Sequence, residues 1–185
     1  NSITSGGNYN AVVGDEAGTA ITTGDANTFY GYSAGAATTT SSDNTAIGGA
    51  ALATNILASS NTAVGKNALY AHNVGSAAST YNTAVGHHAG IAITTGVQNT
   101  LIGGLAGDAL TDADYNVALG ANALSADTLG SNSVAVGAFA LRDQNFTSAT
   151  DSHNTAVGYN AGGDVTTGIR NTLIGGLAGD ALTDA

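Results

Sequence analysis

One motif, Asn-Thr-Ala-(Val/Ile)-Gly-x-x-Ala-(Gly/Leu), recurs in variant forms from end to end of these 185 residues. Its central glycines are Gly14, Gly31, Gly48, Gly65, Gly86, Gly103, Gly120, Gly137, Gly158 and Gly175, spaced 17, 17, 17, 21, then 17, 17, 17, 21, then 17. Three coils of 17 and one of 21 make a larger unit of 72 residues, so that 1–72 and 73–144 are whole copies and 145–185 an incomplete one. Four residues after the glycine the order is Gly18, Gly35, Leu52, Leu69, then Gly90, Gly107, Leu124, Leu141, then Gly162, Gly179. Residues Asn99–Ala113 return letter for letter as Asn171–Ala185. A fixed period of this kind means stacked supersecondary units, each unable to bury its apolar face alone.

The period selects the element. Gly and Thr recur in every candidate window, which disfavours helix. Each motif instead alternates β-branched and small residues over a few positions and closes on Gly, which reads as a short strand. A second strand is expected at Ile21-Thr22-Thr23-Gly24, Ile93-Thr94-Thr95-Gly96 and Val165-Thr166-Thr167-Gly168. Seventeen residues then suit two short strands and two turns, giving an all-β parallel β-roll, a solenoid forming a single domain over 1–185. Ten coils about 4.8 Å apart would make a rod of roughly 45–50 Å. The longer coils are expected to bulge as loops at Tyr70–Tyr81 and Arg142–His153. A three-sided helix of hexapeptides fits less well: Val85, Ile91 and Val97 obey its period, whereas Val13, Thr19 and Asp25 do not.

Alternation also divides inside from outside. With the β-branched Val85 and its equivalents assigned to the interior, the other face carries Val12, Phe29, Ala46, Ala63, Ala84, Leu101, Ala118, Ala135, Ala156 and Leu173. This apolar column would be an exposed stripe on a monomer, so it is expected to face symmetry copies. A second column, Asn10, Asn27, Asn44, Asn61, Asn82, Asn99, Asn116, Asn154 and Asn171, with Ser133 as its exception, reads as a structural ladder of stacked amides.

Composition narrows the function. A net charge of −10 with only Lys66, Arg142 and Arg170 as cations repels phosphate, so no nucleic-acid partner is expected. No apolar run approaches the length of a membrane span, and no membrane insertion is expected. Cys is absent, which removes disulfides and Cys-ligated metals. The opening Asn1-Ser2-Ile3 shows no signal-peptide pattern; without an initiator Met it reads as a fragment or a processed chain.

Asn132-Ser133-Val134-Ala135-Val136-Gly137 resembles the head repeat of YadA-type trimeric autotransporter adhesins. Copies such as Asn154-Thr155-Ala156-Val157-Gly158-Tyr159-Asn160-Ala161-Gly162 resemble the repeats of bacteriophage tail fibres, marine ones especially. The motifs cover nearly the whole chain. The resemblance implies a homotrimer of left-handed parallel β-rolls on a virion or cell surface. Adhesin heads use shorter coils than 17 to 21 residues, which favours the phage fibre.

Other side chains are weighed against ordinary roles. His87 and His88 occupy the variable pair after the glycine; a threefold axis would allow one of them an axial metal, but a solvated turn is expected. Asp108, Asp112 and Asp114, with Asp180 and Asp184, lack the nonapeptide signature of calcium rolls and read as turn formers. Asp151-Ser152-His153 has triad residue types, but three contiguous residues do not make triad geometry. Glu16 is the only Glu, no carboxylate pair repeats, and Lys66 has no phosphate-loop context. Asn145-Phe146-Thr147 is a lone glycosylation sequon. No catalytic residue, cofactor or metal is expected. The chain reads as a shaft or adhesive segment of a trimeric fibre, with itself and a host receptor or glycan as partners. An adhesin head, or an ice- or mineral-binding solenoid suggested by the Thr-Thr pairs, is the alternative reading.

Overall fold

The computed structural model describes residues 6–184; Asn1-Ser2-Ile3, read above for a signal, lies outside them. It is an all-β solenoid, with no helix among the described residues. Ten three-residue strands, one per coil, form a single parallel sheet: β1 (Ala11–Val13), β2 (Thr28–Tyr30), β3 (Thr45–Ile47), β5 (Thr62–Val64), β7 (Thr83–Val85), β8 (Thr100–Ile102), β9 (Val117–Leu119), β11 (Val134–Val136), β13 (Thr155–Val157) and β14 (Thr172–Ile174). Equivalent residues pair in register, as in Thr83 with Thr100, Ala84 with Leu101 and Val85 with Ile102. The remaining strands are two-residue pieces flanking the long loops: β4 (Ala58–Ser59) pairs with β6 (Ala78–Ser79), and β10 (Gly130–Ser131) with β12 (Thr150–Asp151). The second strand expected at Ile21–Gly24 and its copies is not formed. Those residues turn the chain, and Thr94 N–H bonds to the Thr111 carbonyl of the next coil at 2.9 Å.

Backbone polarity is satisfied along the stack. Thr83 N–H donates forward to Asn99 O (2.8 Å), and Gly86 N–H donates backward to Val64 O (2.8 Å). Gly86 has φ +142° and sits so close to the next coil that a Cβ there would run into the Gly103 carbonyl. This contact recurs at every motif glycine from Gly14 to Gly158, which is why that position never varies. In the same coil Tyr81, His88 and Gly90 have φ of 53°, 59° and 57°. Left-handed backbone is costly for side-chain-bearing residues unless the surroundings enforce it. Here they do: His88 N–H reaches Lys66 O on the preceding coil (3.0 Å) and Gly90 N–H reaches Ala106 O on the following one (3.0 Å).

The inside–outside assignment is reversed from the sequence expectation. Phe29, Ala46, Ala63, Ala84, Leu101, Ala118, Ala135 and Ala156 are fully buried within the single chain, and Val12 and Leu173, in the terminal coils, are half-buried against the same core. This column cannot meet another copy. The β-branched residues on either side of it point outward. The reason is width: a 17-residue coil leaves a thin interior, where the strand alanines face a second buried column including Ala17, Ala34, Ala51, Ala68 and Ala89.

Volume compensation inside this thin core shapes the second, third and fourth coils of the 72-residue unit, while in the first coil Gly90 yields its space to Leu101 of the next, whose Cδ1 would lie 2.7 Å from a Cβ there. In the second coil of each unit the strand carries a large residue (Phe29, Leu101, Leu173), and Gly stands four after the motif glycine. A Cβ on Gly107 would lie 2.8 Å from Leu101 Cδ2 and 2.8 Å from Leu110 Cδ1. In the third and fourth coils the strand residue shrinks to Ala, and Leu52, Leu69, Leu124 and Leu141 fill the space, all buried and all at left-handed φ. Leu is therefore tolerated by the backbone at this position and excluded only by its neighbours. Leu101→Ala alone should cost about 2–5 kcal/mol by opening a cavity, and Gly107→Leu alone about 1–3 kcal/mol by overpacking. The double variant should cost clearly less than their sum, and urea unfolding of the four proteins measures that coupling.

Candidate functional site

Two features stand out from the uniform stack: the outer face of the long sheet and a pair of buried polar plugs. The outer face carries two columns. The first runs Ala11, Thr28, Thr45, Thr62, Thr83, Thr100, Val117, Val134, Thr155, Thr172; the other runs Val13, Tyr30, Ile47, Val64, Val85, Ile102, Leu119, Val136, Val157, Ile174. Strand pleating points both away from the core. Tyr30, Leu119 and Ile174 remain 59%, 44% and 70% exposed, and every other member is at least partly exposed. None of these side chains is charged.

The Asn column lies inside the roll, where it links coils and spans each one. Asn99 Oδ1 accepts the Asn116 backbone N–H (3.0 Å), while Asn99 Nδ2 donates to Ala113 O on its own coil (2.7 Å) and to Asn82 Oδ1 (3.2 Å). Asn27, Asn44, Asn61, Asn82, Asn116 and Asn154 are buried in the same way, and Asn10 and Asn171 are half-buried in the terminal coils. Where Ser133 interrupts the column, Gln144 supplies the missing amide, donating to Ser133 Oγ (2.9 Å) and accepting from Asn154 Nδ2 (2.8 Å).

Gln144 belongs to a plug that sequence reasoning passed over. It also donates to Asp127 Oδ2 (2.6 Å), whose Oδ1 takes the N–H groups of Gly130 (3.0 Å) and Phe146 (3.1 Å). One unit earlier the same places hold His72 and Asn55: His72 Nε2 meets Thr80 Oγ1 (2.9 Å), and Thr80 Oγ1 donates to Asn61 Oδ1 (2.8 Å). All are buried. The long loops thus bulge only at residues 75–79 and 147–149, their ends being pulled inward. The signal was available in the phase: seven after the motif glycine the residues run Ile21, Thr38, Asn55, His72, then Ile93, Leu110, Asp127, Gln144, polar wherever a long loop must be held.

The other singled-out residues take local roles. His87 stacks on His88 with ring centroids 3.8 Å apart, and His88 Nε2 lies 3.1 Å from Asn67 Nδ2. Burial, then His87 and Lys66, lower the His88 pKa. No group of three metal-ligating side chains occurs among the described residues. Asp112 accepts from Thr95, Asp114 caps the Val97 N–H (2.8 Å), and hydrogen bonds from Thr166 and Thr167 hold the Asp184 carboxyl below its usual range. Asp108 is pushed up by burial, and Asp180 N–H closes a turn on Leu177 O (3.3 Å). Ser152 bonds to Ser133 and to Ser131 O rather than to exposed His153, while Asp151 accepts from Asn132 (2.9 Å). Glu16 accepts from Ser33 (2.8 Å), Lys66 is exposed, and exposed Asn145 accepts from Thr128 (3.1 Å). No pocket opens among the described residues.

Compared with protein-family models, curated proteins and solved structures, the chain shows no match. Asn99→Ala should cost about 2–4 kcal/mol, because it strips partners from buried backbone groups of two coils at once. Asn99→Asp should also destabilise, since it sets a carboxylate oxygen against the Ala113 carbonyl. Chemical denaturation measures both.

Proposed function

We propose that this chain is a structural or adhesive segment of a homotrimeric surface fibre, of the phage tail-fibre kind its repeats resemble, with the outer sheet face as the contact between copies. One observation carries the reading. Thirteen acidic and three basic side chains are spread over the molecule, yet all the positions on that face are Thr, Ala, Tyr or aliphatic. Ten rungs about 4.8 Å apart and two columns about 7 Å apart make a charge-free stripe of roughly 340 Å². Charge depletion marks the centres of interfaces, and a continuous uncharged strip along one face is a surface that symmetry copies can cover. The partner column is therefore Val13 to Ile174, in place of the column the sequence suggested. A host receptor or glycan at the virion surface is the further partner of such a fibre; a bacterial adhesin head has the same repeat logic.

Light scattering at micromolar concentration should return three times the chain mass of 17.8 kDa. Val85→Asp combined with Ile102→Asp should give monomers that keep their β-sheet circular dichroism. Ala84→Asp should instead lose that signal, since the charge enters the roll. A monomeric parent protein, or a trimeric double variant, would overturn the proposal.

A second reading gains from one observation. Thr28, Thr45, Thr62, Thr83 and Thr100 occupy adjacent coils in register, a more regular array than the isolated Thr-Thr pairs suggested. A flat lattice of Thr and β-branched residues is suited to an ordered surface such as ice. On the fibre reading, thermal hysteresis should be absent from the parent protein; a freezing gap that vanishes in Thr83→Asp would select the surface binder instead.

A further inference from the structure

The long loop of the first complete unit is held by a histidine, and that of the second by a glutamine. His72 is fully buried, and its Nε2 meets the Thr80 hydroxyl (2.9 Å) and, more distantly, the Asn82 amide nitrogen (3.5 Å). Thr80 lies at the far end of the loop, just after β6, and its N–H anchors to Ser59 O (3.0 Å). The loop between them, residues 73–79, is mostly exposed. A neutral imidazole suits this cage. A charged one does not: Nδ1 makes no well-formed hydrogen bond, and Nε2 has no carboxylate within reach. The Thr94 backbone, whose carbonyl also accepts the Asn73 N–H (2.9 Å), is the one group that favours the charged ring.

We propose that His72 is an acid-sensitive latch, which releases the 73–80 loop and detaches β6 from β4 when its imidazole is protonated. Burial pushes the His72 pKa down to about 4, the Thr94 backbone offsetting only part of this, and no charged side chain acts on it. The sign follows. A group whose closed-state pKa lies below its open-state value favours closure while neutral. Closure is thus at full strength above about pH 6.5 and is lost progressively as pH falls towards 4. In the second unit Gln144, which cannot be protonated in this range, takes the histidine's place, and the Asp127 carboxylate beside it is held by Gln144 and by the Gly130 and Phe146 N–H groups, so the two loops form an internal comparison.

Backbone amide exchange, corrected for intrinsic rates, tests this in the intact protein. Between pH 7 and 4.5 the protection of Ala78 and Thr80 should fall by on the order of 50-fold. Thr150 and Ser152, their equivalents in the second loop, should hold theirs. His72→Gln should make the first loop as indifferent to pH as the second. Should that variant fold poorly, NMR titration of the parent protein serves instead: the His72 ring should titrate well below the ordinary histidine value of 6.5. Equal responses of the two loops, a persistent pH response in His72→Gln, or a His72 midpoint near 6.5 would each overturn the latch.

Discussion

Everything in this molecule follows from the distance between successive coils. Parallel pairing fixes it at about 4.8 Å, and each backbone N–H or carbonyl of the sheet finds its partner one coil away. At the motif glycine the approach leaves no room for a side chain, and the left-handed turns on either side are held by hydrogen bonds to the coil above or below. A coil removed from the stack would therefore lose both its polar partners and the restraint that makes its turn geometry tolerable. Identity at the glycine and Asn positions is the sequence trace of that dependence, whereas the exposed turn pair after the glycine is free to vary.

The thin cross-section is the second constraint, and it explains how far the sequence could be read. The period, the strand position, the parallel register and the Asn ladder were legible, because stacking imposes them on every copy. The facing of the strand was not. In ordinary sheets the bulkier β-branched residue goes inward and the small one outward, and that habit assigned Val85 to the core and Ala84 to the partner. In a roll this narrow the interior admits Ala, and Val85 is left outside. The Phe29, Leu101 and Leu173 exceptions were visible as a size pattern. Their meaning, a large strand residue matched by Gly further along the same coil, needed the geometry.

The plugs were missed for a related reason. His72 and Gln144 stand outside the motif and look like loop residues, yet the loops they begin are tied inward at both ends. The chain meets the demand for buried polar partners differently in each copy, with Asn55 and His72 in one unit and Asp127 and Gln144 in the next. Shared phase, rather than shared residue type, marked them as equivalent.

The direction of the hydrogen bonds has a mechanical consequence. They lie along the roll's long axis, so within any one cross-section they bear a pulling force together, while successive cross-sections bear it in series. Tension applied along the axis must open the weakest level first and cannot be shared with the others. Each coil that yields frees 17 or 21 residues, about 55 to 70 Å of extended chain in place of about 5 Å of stack. The roll is stiff under small loads and lengthens in discrete steps under large ones, each step dissipating work while neighbouring levels stay closed.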